Sequence, residues 1–208
     1  MDKKFGGFDG FSFLCTMLYV NDHLFDFDLN KALALLSEQR REQALRFRYE
    51  LGQRTCAAAY LLLCEGLRRE YGIDERPLFE YGEHGKPAIV GRPDIHFNLS
   101  HCREAAVCYL SDRPVGIDVE SIHEAKRSLV NYTMNEEEQQ LIFTSPRPDL
   151  AFTRLWTMKE AVAKLTGQGI TNDLKTALAG GPWQFTTVER LDRNYIYTVC
   201  EEKASSDL

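Results

Sequence analysis

The segment Thr55-Cys56-Ala57-Ala58-Ala59-Tyr60-Leu61-Leu62-Leu63 limits the fold most, because it is apolar on nearly every side. Wound into a helix, it has no face to give to water, so the rest of the chain must enclose it. It sits within a stretch from Leu29 to about Tyr71 that reads as two helices, with Gly52 as the expected break. The enclosing material is strand-like. Phe11–Val20 is rich in aromatic and β-branched residues, and Ile95–Leu99, Ala105–Leu110 and Val115–Glu120 follow it. Gly82, Gly85, Pro87, Gly91 and Pro93 mark loops before these strands, and Ser111-Asp112-Arg113-Pro114 marks a turn between the last two. Two further helices are predicted over Met134–Phe143 and Leu150–Leu165, parted by Ser145-Pro146-Arg147-Pro148. Trp183–Glu189 and Tyr195–Cys200 read as a hairpin around Leu191-Asp192-Arg193-Asn194, and the tail from Glu201 to Leu208 is expected to fray. Strand, helices and strands therefore occur twice in succession. That order predicts an α+β fold of two similar halves, residues 1–111 and 112–208, although the halves share no convincing sequence repeat.

The bulk properties exclude several classes. The 208 residues are 44% hydrophobic and 27% charged, ordinary values for a soluble domain. No window reaches the roughly 18 apolar residues of a membrane span, and Met1-Asp2-Lys3-Lys4-Phe5-Gly6-Gly7 does not open a signal peptide, so the cytoplasm is the expected compartment. A net charge of −6 argues against general nucleic-acid binding. The charge is uneven, however: residues 31–70 hold eight Lys or Arg against five Asp or Glu. Such a patch suits a phosphate or an acidic partner, or else a solvated helix face with mixed ion pairs. The six cysteines form no Cys-x-x-Cys pair and mostly lie among apolar residues, so reduced, buried thiols are expected.

The chemistry concentrates in two segments. In Val115-Gly116-Ile117-Asp118-Val119-Glu120, strand alternation puts Val115, Ile117 and Val119 on one face and Gly116, Asp118 and Glu120 on the other. Two carboxylates beside a glycine leave room for a divalent cation and its ligand; an exposed strand with its acids in water is the alternative. In Trp156-Thr157-Met158-Lys159-Glu160-Ala161-Val162-Ala163-Lys164, helical stepping gathers Phe152, Leu155, Trp156, Met158, Val162 and Leu165 on one apolar arc, with Lys159 near its middle. An ammonium there must find an anion or snorkel out. Glu160 lies at the edge of the arc with Lys164 four residues on, which suits either a phosphate site or a surface ion pair. Ser100 and His101 end the Ile95–Leu99 strand as a phosphate contact or as a turn cap with a solvated ring. Thr133-Met134-Asn135-Glu136 matches a capping box, which leaves Glu136 as a structural cap or a proton acceptor.

Together these segments resemble the 4′-phosphopantetheinyl transferases of the larger, surfactin-synthetase-activating type. The carriers of the resemblance are Gly116-Ile117-Asp118-Val119-Glu120 and, after an interval of about forty residues, Trp156 to Lys164. Gly85-Lys86-Pro87 and Asn98-Leu99-Ser100-His101 precede them in the right order, and Gly167-Gln168-Gly169-Ile170 follows. The resemblance implies a pseudo-twofold monomer with coenzyme A in the cleft between its halves. It implies Mg²⁺-dependent transfer of the phosphopantetheine arm to a serine of an apo acyl or peptidyl carrier protein, with release of 3′,5′-ADP and no role for nucleic acid or membrane. Matched by motif, Asp118, Glu120 and Glu160 hold the metal. Glu136, Lys159, Glu160 and Lys164 serve the chemistry, and Arg40, Arg54, Lys86, Ser100, His101, Lys159 and Lys164 contact coenzyme A. Gln43 stands where some relatives carry lysine. A Mg²⁺-dependent pyrophosphohydrolase and a non-catalytic coenzyme A-binding module are the rival readings.

Overall fold

The structure is a computed structural model that describes residues 17–169, 174–179 and 181–203. Its elements run β1 (Met17–Asn21), α1 (Leu29–Leu35), α2 (Glu38–Leu45), α3 (Glu50–Tyr71), β2 (Phe79–Tyr81), β3 (Pro87–Ile89), β4 (His96–His101), β5 (Ala106–Ser111) and β6 (Val115–Ser121). They continue with α4 (Arg127–Thr133), α5 (Glu136–Thr144), α6 (Pro148–Thr166), β7 (Trp183–Arg190) and β8 (Tyr195–Glu202). The fold is mixed α+β, as expected. The start of the first predicted strand, Phe11–Thr16, and Ile170 lie outside the described residues.

The helical region differs from the expectation of two helices. Ser37 caps α2 by accepting from the Arg40 amide, and this splits α1 from α2. The second break falls at Arg46–Tyr49, ahead of Gly52, which lies inside the first turn of α3. A side chain at Gly52 would meet the Phe47 ring at 2.6 Å, so this glycine serves a close approach and not a break. The apolar segment behaves as predicted: Cys56, Ala57, Ala58, Ala59, Tyr60 and Leu63 are buried. Helix α3 lies against β1, β4 and β5 on one side and α1 and α2 on the other. Gly72 ends it in the left-handed conformation, at φ 64°.

Two three-stranded antiparallel sheets form, ordered β1-β5-β4 and β6-β8-β7, together with the small β2–β3 hairpin. In the second sheet Asp118 pairs with Thr198 and Glu120 with Ile196. The apolar face of β6 packs as alternation predicts, with Ile117 and Val119 buried among Val107, Tyr195 and Val199. Strands β4 and β6 are the facing edges of the two sheets, and side chains join them: Asn98 Oδ1 accepts from the Ile117 amide at 3.0 Å and Ser100 Oγ from the Val119 amide at 3.3 Å.

Helix α6 begins with Pro148 in its first turn, ends at Gly167 and covers β6 and β8. A Cβ on Gly116 would lie 1.9 Å from the Ala161 carbonyl oxygen and 2.6 Å from the Leu165 nitrogen. The missing side chain therefore lets α6 settle directly on β6, beside Asp118. The predicted Thr133–Glu136 capping box is corrected by two residues: Asn135 is the N-cap of α5 and Glu138 its reciprocal partner, because Thr133 is still within α4 and bonds the Leu129 carbonyl.

Candidate active site

The carboxylate strand, the helix beside it and the end of β4 meet at one cavity of about 370 Å³. Asp118, Glu120, Glu160 and Lys164 line it, together with Arg40 and His101. The three carboxylates thus face a shared space, although among the described residues no three His, Cys, Asp or Glu side chains are drawn into a ready metal cage. Lys164 Nζ supplies the positive charge beside them, at 2.6 Å from Asp118 Oδ1 and 2.8 Å from Ser100 Oγ. Ser100 in turn donates to Asp118 Oδ1 at 2.9 Å. Its hydroxyl therefore braces the carboxylate and the β6 backbone together, rather than capping a turn.

The charges in this space are not balanced. Asp118 Oδ2 is buried with no partner. Burial, and then the charge of Asp118, pushes the Glu160 carboxyl up to about 7, with Lys164 opposing the rise. Glu120 is raised in the same way, by burial first and Asp118 second, while the indole of Trp156 donates to its Oε1 at 3.3 Å. Loss of surrounding water, followed by the charges of Lys164 and Arg40, lowers the His101 imidazole. Crowded carboxylate oxygens with one orphaned buried atom are a donor set that suits a hard divalent cation.

A second lobe of about 290 Å³ continues from the first past Gly85, Pro87, Asn98 and Leu99 towards His84 and Gly167. The lining of the first lobe also holds Arg40, whose Nη1 donates to Gln43 Oε1 at 2.8 Å and whose Nε is buried without a partner. The Phe47 ring meets His101 edge-on at 6.3 Å.

Four residues expected at the site stand apart from the first lobe: Lys159, Arg54 and Lys86 make polar contacts within the protein, and Glu136 is exposed. Lys159 is 0% exposed and lies outside the cavity lining; its Nζ is 2.9 Å from Glu138 Oε1 and 2.6 Å from the Leu174 carbonyl oxygen. The anion that its place on the apolar arc demanded is thus Glu138. Glu136 is exposed in the first turn of α5 and also lies outside the lining. Arg54 donates to the Leu24 and Phe27 carbonyls and to Glu50, and so pins the segment after β1. Lys86 presents its stem to the second lobe, while its ammonium donates to the carbonyls of Leu165 at 2.8 Å and Val115 at 3.3 Å. The residues that sequence reasoning passed over are Glu138, which three consecutive glutamates disguised, and Asn98, which stood inside a quoted motif without a role.

Comparison with known proteins agrees with this geometry. Residues 114–206, which contain the carboxylate strand and α6, match the family model described as the 4′-phosphopantetheinyl transferase superfamily. The chain is 34% identical over 147 residues to 4′-phosphopantetheinyl transferase psf-1 of Bacillus pumilus, covering 69% of this chain and 63% of that protein. It is 26% identical over 157 residues to 4′-phosphopantetheinyl transferase Sfp of Bacillus subtilis strain 168, covering 74% and 70% respectively. It is 38% identical over 117 residues to 4′-phosphopantetheinyl transferase gsp of Aneurinibacillus migulanus, covering 52% and 48%. Each relative thus extends beyond the stretch that this chain matches.

Proposed function

Since the chain belongs to the 4′-phosphopantetheinyl transferase superfamily, we propose that it moves the 4′-phosphopantetheine arm of coenzyme A onto a serine of an apo carrier protein, in a Mg²⁺-dependent reaction in the cytoplasm. The observation that carries this reading is the single cavity lined by three carboxylates and by Lys164, Arg40 and His101. Anionic and cationic groups arranged this way suit a pyrophosphate and its counter-ion together.

In the reaction the serine oxygen forms a bond to the phosphorus next to the arm, the bridging P–O bond breaks, and 3′,5′-ADP leaves with the bonding electrons. Asp118, Glu120 and Glu160 would hold the cation, which when bound offsets charge on the departing phosphate. Lys164, already beside Asp118, adds a fixed positive charge at the same place. Arg40 and His101, which line the same cavity, would bind the remaining phosphate of the nucleotide. The serine proton passes to water in the cavity, since the three carboxylates are taken up by the cation. Lys86 orders the wall of the cavity through the two carbonyls it binds. Lys159 and Glu138 fix α6 to α5 behind the site.

The test is incubation of the purified chain with Mg²⁺, coenzyme A and a panel of apo carriers, read by intact mass. Addition of one phosphopantetheine to at least one carrier, abolished by EDTA, is the expected result. No addition to any carrier overturns the reading, and release of 3′,5′-ADP without a carrier points to hydrolysis instead.

A further inference from the structure

Trp156, Glu160 and Lys164 stand at four-residue steps on α6 and so share one face of the helix. Glu160 and Lys164 line the cavity; Trp156 is outside its lining. The Trp156 ring belongs to the apolar cluster of Val130, Ile142 and Phe152, and it stacks on the Phe152 ring with centroids 6.2 Å apart. Packing accounts for the ring. It does not account for the N–H, which leaves that cluster and donates to Glu120 Oε1 at 3.3 Å. The chain's other tryptophan shows the difference: the Trp183 N–H is buried and, among the described residues, meets no acceptor.

The two ends of this stripe treat the strand acids alike. Lys164 takes Asp118 Oδ1 and leaves Oδ2 without a donor. Trp156 takes Glu120 Oε1, and no other donor among the described residues meets that carboxylate. Each acid is therefore gripped by one oxygen and open at the other. The grips differ in charge. An indole N–H is a donor only and carries no net charge, so it orients a carboxylate without cancelling the charge that attracts a cation. A second ammonium in its place would cancel it. We infer that Trp156 is a positioning residue: it holds Glu120 by one oxygen and keeps the other open to the cavity for the divalent cation. The inference rests on the metal assignment in the transfer reaction proposed above.

The test is a calorimetric titration of Mg²⁺ into the chain with coenzyme A and no carrier, so that nothing turns over. Trp156→Phe keeps an aromatic ring against Phe152 and deletes the N–H. It should need about tenfold or more Mg²⁺ for half-saturation, and its carrier modification should recover as Mg²⁺ is raised. An unchanged midpoint, whatever the Tm, overturns this inference alone and leaves the transferase reading standing. Trp183→Phe gives a second reading with Trp156 intact. It removes a donor that had no acceptor and leaves Trp156 as the only indole in the chain. The Trp156 emission should then move as Mg²⁺ is added and saturate at the calorimetric midpoint. Calorimetric uptake with the emission unmoved overturns the inference. If the parent chain takes up no Mg²⁺, the metal assignment falls and this inference falls with it.

Discussion

Two lysines five residues apart on α6 make ion pairs of similar length with different surroundings. Lys159 is enclosed: Glu138 Oε1 lies 2.9 Å away, the Leu174 carbonyl 2.6 Å away, and the other oxygen of Glu138 accepts from the Asn135 amide. Lys164 lies 2.6 Å from Asp118 in an open cavity, and the second oxygen of Asp118 has no partner at all. The first pair is complete within the protein. The second leaves acceptor capacity over, and a buried acceptor without a donor is unfavourable unless something else binds it. Length alone does not separate a structural pair from a functional one; what remains unsatisfied around it does.

The comparison can be broken most forcefully at the enclosed pair. Lys159→Met leaves the Glu138 charge without its partner, and should destabilise the chain by about 3–5 kcal/mol. Thermal unfolding measures this, and Lys159→Met combined with Glu138→Gln should recover most of the loss. A variant that melts normally but has lost transfer would show that Lys159 acts on the chemistry instead. At the open pair, Asp118→Asn should leave the fold standing and reduce carrier modification by about 10²–10³-fold, as followed by intact mass. Full activity there removes Asp118 from the metal site. Gly116→Ala attacks the ground common to both pairs, since the new methyl must push α6 from β6. A loss of roughly 1–3 kcal/mol, seen in denaturant unfolding, should come with reduced transfer.

The smallest effect is the pH dependence of Glu160. Its proton is held more tightly in the folded chain, about 7, than at the ordinary value of 4.5. Between those values the folded state binds more protons than the unfolded state, so stability falls as pH rises through the window and then levels off. Glu160→Gln should remove this slope and, without metal at pH 8, raise Tm by roughly 2–4 °C. Mg²⁺ should then raise the Tm of the parent chain and not that of the variant. A parent chain without the slope would mean that Glu160 does not carry the excess charge.

Much of this site could be read in the residues themselves. Alternation along Val115–Glu120 placed Asp118 and Glu120 together, and helical stepping put Lys159 on the buried face, where it is found. What periodicity could not supply was the partner. Glu136, Glu137 and Glu138 are equivalent in composition, and only the choice of Asn135 over Thr133 as the N-cap turns Glu138 inward. The short elements were also hidden. Helix α4 has seven residues and strands β2 and β3 have three each, too few to show a period. Gly52 misled because a glycine that admits a ring and a glycine that ends a helix look alike in one dimension. Arg54 and Lys86 are coenzyme A contacts by resemblance alone, and the carbonyls that they bind in the fold do not show in the sequence.

The bonds from Asn98 and Ser100 to the Ile117 and Val119 amides have a further consequence. Strand β6 borders its sheet, and a border strand offers its outward N–H groups to any extended chain that drifts past. Here two short side chains from the bordering strand of the other sheet occupy those positions. The same groups that shape the cavity therefore deny a template to foreign strands, and a chain stripped of them should self-associate through this border.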